Sequence, residues 1–274
     1  VTTLGLRLSA LPTHEPAMAW LSTVAATAES AGFDSLWVAD DPAAGELDVD
    51  RLAGDAGSLE AYTTLGALAR CSQRVRLGAM ASPAALRSPA LLAKLVTAVD
   101  LLSGGRAAVV LRGTPDAVAD AATICRQLFA GREVHYRGSV VHVTGAVNRP
   151  PPRSDGGPPI MVATDGEEAT MAVAARLADG VVLTGAAAAA PAPALATLAA
   201  RCRAAGRDEA ALTAVVLFGA DTPGPVAEMA ATARAAGADG IVLDVAPPTM
   251  EADPAGAHGA LGALAAAATG PWRR

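Results

Sequence analysis

AESAGFDSLWVAD (Ala28–Asp40) carries the end of an alanine-rich helix, a glycine, an aspartate and an apolar strand that closes on a second aspartate. Gly32 stands where a helix C-terminus favours glycine. The same order returns in ARAAGADGIVLDV (Ala233–Val245). One such junction proves little, because any helix-to-strand connection uses these residues. Outward from it in both directions, however, the alternation of apolar strand and alanine-rich helix is stated eight times.

LGLRLSA (Leu4–Ala10) precedes a helix over Pro16–Ala31, and DSLWVAD precedes one over Ser58–Arg70 with Ser58 placed as its N-cap. VRLGAMA (Val75–Ala81) leads to Ser88–Leu102, entered through Pro89, and RAAVVL (Arg106–Leu111) to Pro115–Ala130, with Thr114 as N-cap. IMVAT (Ile160–Thr164) pairs with Glu167–Ala178, and GVVLTG (Gly180–Gly185) with Ala192–Ala205. LTAVVLFGA (Leu212–Ala220) pairs with Val226–Ala236, and GIVLDVA (Gly240–Ala246) with Ala255–Ala268. Strand order and closure are not readable from sequence, but eight unbroken units favour a closed (β/α)8 TIM barrel over an open sheet. The expected organisation is therefore α/β, a single domain over residues 1–274. EVHYRGSVVHV (Glu133–Val143) alternates around Arg137–Gly138 as a hairpin excursion after helix 4. NRPPPRSDGGPP (Asn148–Pro159) is too rich in proline and glycine for helix or central strand.

Hydrophobic residues make up 52% of the chain and aromatics 3%, so the core must be built from Ala, Val and Leu. The formal net charge of −6 lacks the concentrated Lys and Arg that phosphate backbones require, which argues against nucleic acid. Cys71, Cys125 and Cys202 are scattered and odd in number, as expected of reduced cytosolic thiols. The alanine runs are broken by Pro191, Pro193 and Gly262 and fall short of a membrane span. With no leader visible, the expectation is a soluble cytoplasmic protein without membrane contact. The loop holding Asp41, Glu46, Asp48, Asp50 and Asp55 is acidic, but no His or ligand spacing accompanies it, and no metal site is expected. His14, His135, His142 and His258 match no metal or triad spacing.

In a barrel the chemistry belongs just after the strand ends. Those positions hold Asp40 and Asp41, Ser82, Arg112 and Gly113, Thr164 to Glu167, Thr184 and Gly185, and Asp244. VATDGEEAT (Val162–Thr170) is the strongest local signal, a strand, a small-residue turn and a helix start whose free N–H groups suit an anion. Asp165 as a helix cap, with Glu167 and Glu168 complementing the dipole, explains the same residues without a ligand.

The ordered series AESAGFDSLWVAD, LEAYTTLGALA, RVRLGAMASP, RSPALLAKLVTAVDLLSGGRAAVVL, ICRQLFAG, PPIMVATDGEEAT and AARLADGVV resembles the bacterial luciferase-like family of flavin- and F420-dependent monooxygenases and oxidoreductases. The resemblance covers about residues 4–185. It implies a barrel that binds F420 or reduced FMN at the strand ends, acts on a small-molecule substrate and forms a homodimer. It implies that Asp40, with Asp41, supplies the polar group beside the reactive ring. Ala81 and Ser82 would then form the bulge under that ring, Arg112 would pair with an anionic tail, and Thr164, Asp165, Gly166, Glu167 and Thr170 would hold the phosphate. The chain departs from the family where Asp-His becomes Asp40-Asp41, where Arg-His-Pro becomes Arg87-Ser88-Pro89, in the shortened loop after LRGTP (Leu111–Pro115), and in Asp165 at the phosphate turn. Two further functions therefore remain open: a barrel without a cofactor that serves as partner subunit or ligand-binding protein, and an unrelated phosphate-site barrel enzyme.

Overall fold

A computed structural model describes residues 3–9, 17–40, 59–219, 225–245 and 254–269. The loop acids from Asp41 to Asp55, His14 and the expected cap Ser58 lie outside the described residues.

The first half of the barrel is β1 (Thr3–Leu8), α1 (Ala17–Ala31), β2 (Ser35–Val38), α2 (Ala61–Cys71), β3 (Arg76–Pro83), α3 (Pro89–Ser103), β4 (Ala107–Arg112) and α4 (Pro115–Phe129). A hairpin, β5 (Val134–Arg137) and β6 (His142–Ala146), follows. The second half is β7 (Ile160–Thr164), α5 (Glu168–Leu177), β8 (Gly180–Leu183), α6 (Gly185–Ala189), α7 (Pro191–Ala204), β9 (Thr213–Phe218), α8 (Val226–Ala235), β10 (Gly240–Val245) and α9 (Pro254–Thr269). Eight strands close in the order β1, β2, β3, β4, β7, β8, β9, β10, with β10 parallel to β1. The β5–β6 hairpin stands outside the ring.

Closure follows from strands that are apolar on both faces. All four residues of β2 and of β8 are buried. Leu4, Leu6, Leu8, Leu36, Leu77 and Val109 face the helices and join the main core. Trp37, Met80, Val110, Val182, Val215 and Val242 face inward and pack as a separate cluster in the barrel. Trp37 is the bulky member, and Gly78 makes room for it: a Cβ there would overlap the indole and lie 2.7 Å from the Ala108 carbonyl oxygen.

One expectation is corrected, and one element is added. Helix α2 does not start at Ser58; it starts at Ala61, and the Glu60 carboxylate accepts from the Thr63 N–H at 2.7 Å. The extra short helix α6 lies where the sequence shows only an alanine run between Gly185 and Pro191. Thr114 does cap α4, accepting from the Ala117 N–H. The proline-rich segment 148–159 has neither helix nor strand, and buried Asp100 holds it by accepting from the N–H groups of Arg153 (2.7 Å) and Ser154 (2.8 Å). The three thiols are free, and burial pushes that of Cys125 up to about 12. Among the described residues no helix is long and apolar enough to cross a membrane.

Glu29, near the end of α1, clamps the turn into β3. Its Oε1 accepts from the N–H groups of Gln73 (2.8 Å), Arg74 (2.6 Å) and Val75 (3.1 Å). Burial acts to raise its pKa, but these backbone donors outweigh it and hold the carboxyl below 4.5. The folded pKa is thus the lower one, so the stabilisation is complete above about pH 4.5 and is lost as pH falls through the folded value. Glu29→Gln is expected to cost about 1 kcal/mol at pH 7. Urea unfolding at pH 7 and pH 3 should show the gap between variant and parent closing at the acid end; a gap that stays constant contradicts the clamp.

Candidate active site at the barrel mouth

A cavity of about 750 Å³ opens at the carboxyl ends of the strands. The period of two along a strand selects its lining. On β1, Leu4, Leu6 and Leu8 belong to the outer core, which leaves Arg7 to line the mouth. Met80 and Ala81 of β3, Ala163 of β7 and Leu217 of β9 supply apolar surface, and Arg112 and Gly113 close the β4 side. Arg7 Nη1 donates to Asp244 Oδ2 at 3.1 Å, while Arg7 Nε and Asp244 Oδ1 are buried without a hydrogen-bond partner. One donor and one acceptor beside the mouth are therefore unspent.

The wall at β3 is a bulge. Its pairing with β4 shifts register between Ala79 and Ser82, and the Met80–Ala81 peptide is cis. Arg112 Nε donates to the Ala81 carbonyl oxygen at 3.1 Å, anchoring the bulge from the neighbouring strand. Behind it, Ser82 donates to Asp40 Oδ2 at 2.6 Å and shares a hydrogen bond with the Tyr62 hydroxyl at 2.8 Å. Arg87 grips both oxygens of Asp40, Nη1 to Oδ2 at 2.8 Å and Nη2 to Oδ1 at 2.9 Å. The same guanidinium lies over the Tyr62 ring, 5.4 Å from its centroid, and reaches Glu60 Oε1 at 3.2 Å. Asp40 is 4% exposed and Ser82 is fully buried. Burial pushes the Tyr62 hydroxyl pKa up, so it remains a neutral hydrogen-bonding group.

Opposite the bulge lies the turn after β7. Gly166 has φ +99°, a left-handed conformation that glycine tolerates, and its N–H donates to Thr164 Oγ1 at 3.1 Å. Asp165 does not cap α5; its Oδ1 accepts from Thr184 Oγ1 at 3.3 Å. Glu167 occupies the N-cap position, but its Oε2 accepts from the Thr170 hydroxyl at 2.8 Å and no side chain caps the backbone. Glu168 pairs with Arg201. Two carboxylates, Asp165 and Glu167, thus face the mouth beside the free N–H groups of α5.

Of the residues expected at the site, Asp40, Ala81, Arg112, Thr164, Asp165, Glu167 and Thr170 line the mouth. Ser82 stands behind the wall and Gly166 shapes the turn. Asp41 lies outside the described residues. Arg7 was not among the residues expected at the site, and Tyr62 and Arg87 were not expected as partners in the network around Asp40. Inward alternation on β1 was the available signal for Arg7. For Arg87 it was the retained arginine of the family's Arg-His-Pro motif, set against Asp40. His135 and His142 sit on the hairpin, away from the mouth. Among the described residues no group of three His, Cys, Asp or Glu could hold a metal.

The network around Asp40 is energetically coupled. Arg87→Met strands a buried carboxylate and is expected to lower the unfolding free energy by about 3–5 kcal/mol. The double variant Asp40→Ala/Arg87→Met should lose less than the two singles together. Strict additivity in urea unfolding contradicts this coupling.

The comparisons with known proteins agree with this fold. The coenzyme F420-dependent tetrahydromethanopterin reductase of Methanopyrus kandleri superposes with a TM-score of 0.74 at 15% identity, over 96% of this chain and 97% of that one. An F420-dependent secondary alcohol dehydrogenase, solved with an F420–acetone adduct, gives 0.76 at 16% identity, over 97% and 99%. A monooxygenase from Streptomyces bottropensis gives 0.61 at 21% identity, over 80% and 71%. At these identities the likeness is one of fold. The family model for luciferase-like monooxygenases matches residues 4–267. This chain therefore belongs to the luciferase-like monooxygenase family.

Proposed function

We propose that this protein is an oxidoreductase that takes F420 or reduced FMN at the barrel mouth and acts on a small organic substrate. The observation that carries this reading is the open cavity of about 750 Å³ walled by the Met80–Ala81 bulge. Its size is that of ordinary small-molecule sites, roughly 300–1,000 Å³, and its own side chains do not fill it. Solved relatives in fold described as an F420-dependent reductase, an F420-dependent secondary alcohol dehydrogenase and a monooxygenase support the same class.

The residues present fit one part of such a cofactor better than the other. Met80, Ala81, Ala163 and Leu217 offer apolar surface to a flat ring. The α5 turn offers N–H groups to a phosphate, but Asp165 and Glu167 set two negative charges beside it. A ring held at the mouth supplies hydride transfer or, as reduced flavin, electrons for dioxygen. The chain's own contribution is placement. Arg112 fixes the Ala81 carbonyl; Asp40, spent on Arg87 and Ser82, acts as a positioning residue for the bulge. The apolar lining excludes water from whatever lies against it. Weak hold on the phosphate suits a ring that binds and leaves as a co-substrate.

A second reading, a barrel that binds a ligand other than a redox cofactor, is favoured by the same two carboxylates. Titration of purified protein with F420 and with FMN, followed by ligand fluorescence, separates the readings. Saturable micromolar binding of either is the expected result, and binding of neither overturns the redox assignment. Asp165→Gly removes a like charge and is expected to tighten FMN binding about threefold. An unchanged affinity removes the α5 turn from the site.

A further inference from the structure

A second cavity, of about 420 Å³, enters the barrel from the opposite, amino-terminal end. TIM-barrel interiors are ordinarily filled there by layers of bulky side chains. Here the strand register sets Thr3 beside Gly240 and Gly180 beside Thr213, and pairs Ser35 with Arg76. Thr3, Ser35 and Thr213, three short hydroxyl side chains, line the entrance in place of bulky ones, while Gly180 and Gly240 admit the close approach of the neighbouring strand. Above them the walls are apolar: Trp37, Met161, Val182, Val215 and Val242, rising to Met80. Arg76 and Met80 lie on one face of β3, four residues and about 13 Å apart, which accommodates an extended chain of roughly eight carbons.

The rim has an uneven charge account. Asp34 accepts from the Leu4 N–H and keeps its charge, while Asp179 accepts from the Ile160 N–H and from Arg126, whose charge offsets its own. Arg106 is spent on Ser72, Ser103 and Val75, and Arg74 donates to the Glu29 carbonyl oxygen. The Arg76 guanidinium has no hydrogen bond or ion pair among the described residues, and it lines the cavity. An apolar shaft that ends at one unspent cation complements one chemistry.

We propose that the amino-terminal end of the barrel is a second ligand site, one that takes a small amphipathic monocarboxylate with its chain along Trp37 and Met161 toward Met80 and its carboxylate on Arg76. It is independent of the redox reading, because it needs nothing at the mouth. Met80 faces both cavities, so a chain that reaches it touches the wall of the mouth from below.

The test is a titration of the full chain, labelled with ¹³C at the methionine methyls, with octanoate, octan-1-ol and acetate. Octanoate should give saturable shifts at Met80 and Met161 and leave the exposed Met18 still. Octanol should bind about tenfold more weakly and acetate should do nothing. Arg76→Gln, a surface change, should reduce octanoate to the affinity of octanol, and Arg76→Lys should restore part of the loss. The proposal is overturned if octanoate causes no saturable shift, if Met18 moves together with Met80 and Met161, or if Arg76→Gln binds octanoate as the parent does. No flavin or F420 is present in any arm, so failure here leaves the redox reading where it stood.

Discussion

A carboxylate buried to 4% exposure cannot stand alone, and Asp40 recruits what it needs from three separate elements. Arg87 arrives from the segment between β3 and α3, Ser82 from the bulge, and Tyr62 from α2 by way of Ser82. The consequence is mechanical. Strand β3 is tied to the end of β2 at the place where its ladder with β4 breaks register, and the Ala81 carbonyl is tied to Arg112 on the other side. The mouth has a firm wall because a buried charge had to be matched.

The second constraint is volume. A chain with so few aromatic residues fills the helix-to-sheet layer well, since Ala, Val and Leu interdigitate closely there, but it has little with which to fill the inside of a ring. Trp37 is the bulky exception, and Gly78 and Gly5 stay bare to admit it. The result is a barrel with space at both ends and Met80 between. One end carries two carboxylates and the other the unspent Arg76 guanidinium among further charged residues, so the two spaces differ in charge.

Much of the fold was legible because local chemistry and tertiary structure agree. Gly32 takes a left-handed conformation where a helix was expected to stop, Thr114 caps α4, and Pro89 opens α3. Disagreements arose where a local rule had a competitor. Glu60, with a longer side chain, does the work assigned to Ser58. Asp165 is a good cap by composition, yet Thr184 on the adjacent strand end gives its carboxylate a partner in another direction. The alanine run after Gly185 carries no cap and no periodicity, so α6 had no signal. At the site, the family motifs pointed to residues such as Asp40, Ala81 and Arg112, which line the mouth, but not to Arg7. They did not reveal that Asp40 and Arg87 are partners, because a pairing 47 residues apart is a property of closure.

The function proposed for the mouth requires it to hold a ring through apolar contact and to gain little from a phosphate. Equilibrium binding of riboflavin and FMN, compared at low and high ionic strength, tests it most directly. The account predicts that neutral riboflavin binds at least as tightly as FMN, and that salt strengthens FMN binding by screening Asp165 and Glu167. FMN bound tenfold or more tightly than riboflavin, with an affinity that falls as salt rises, would contradict it.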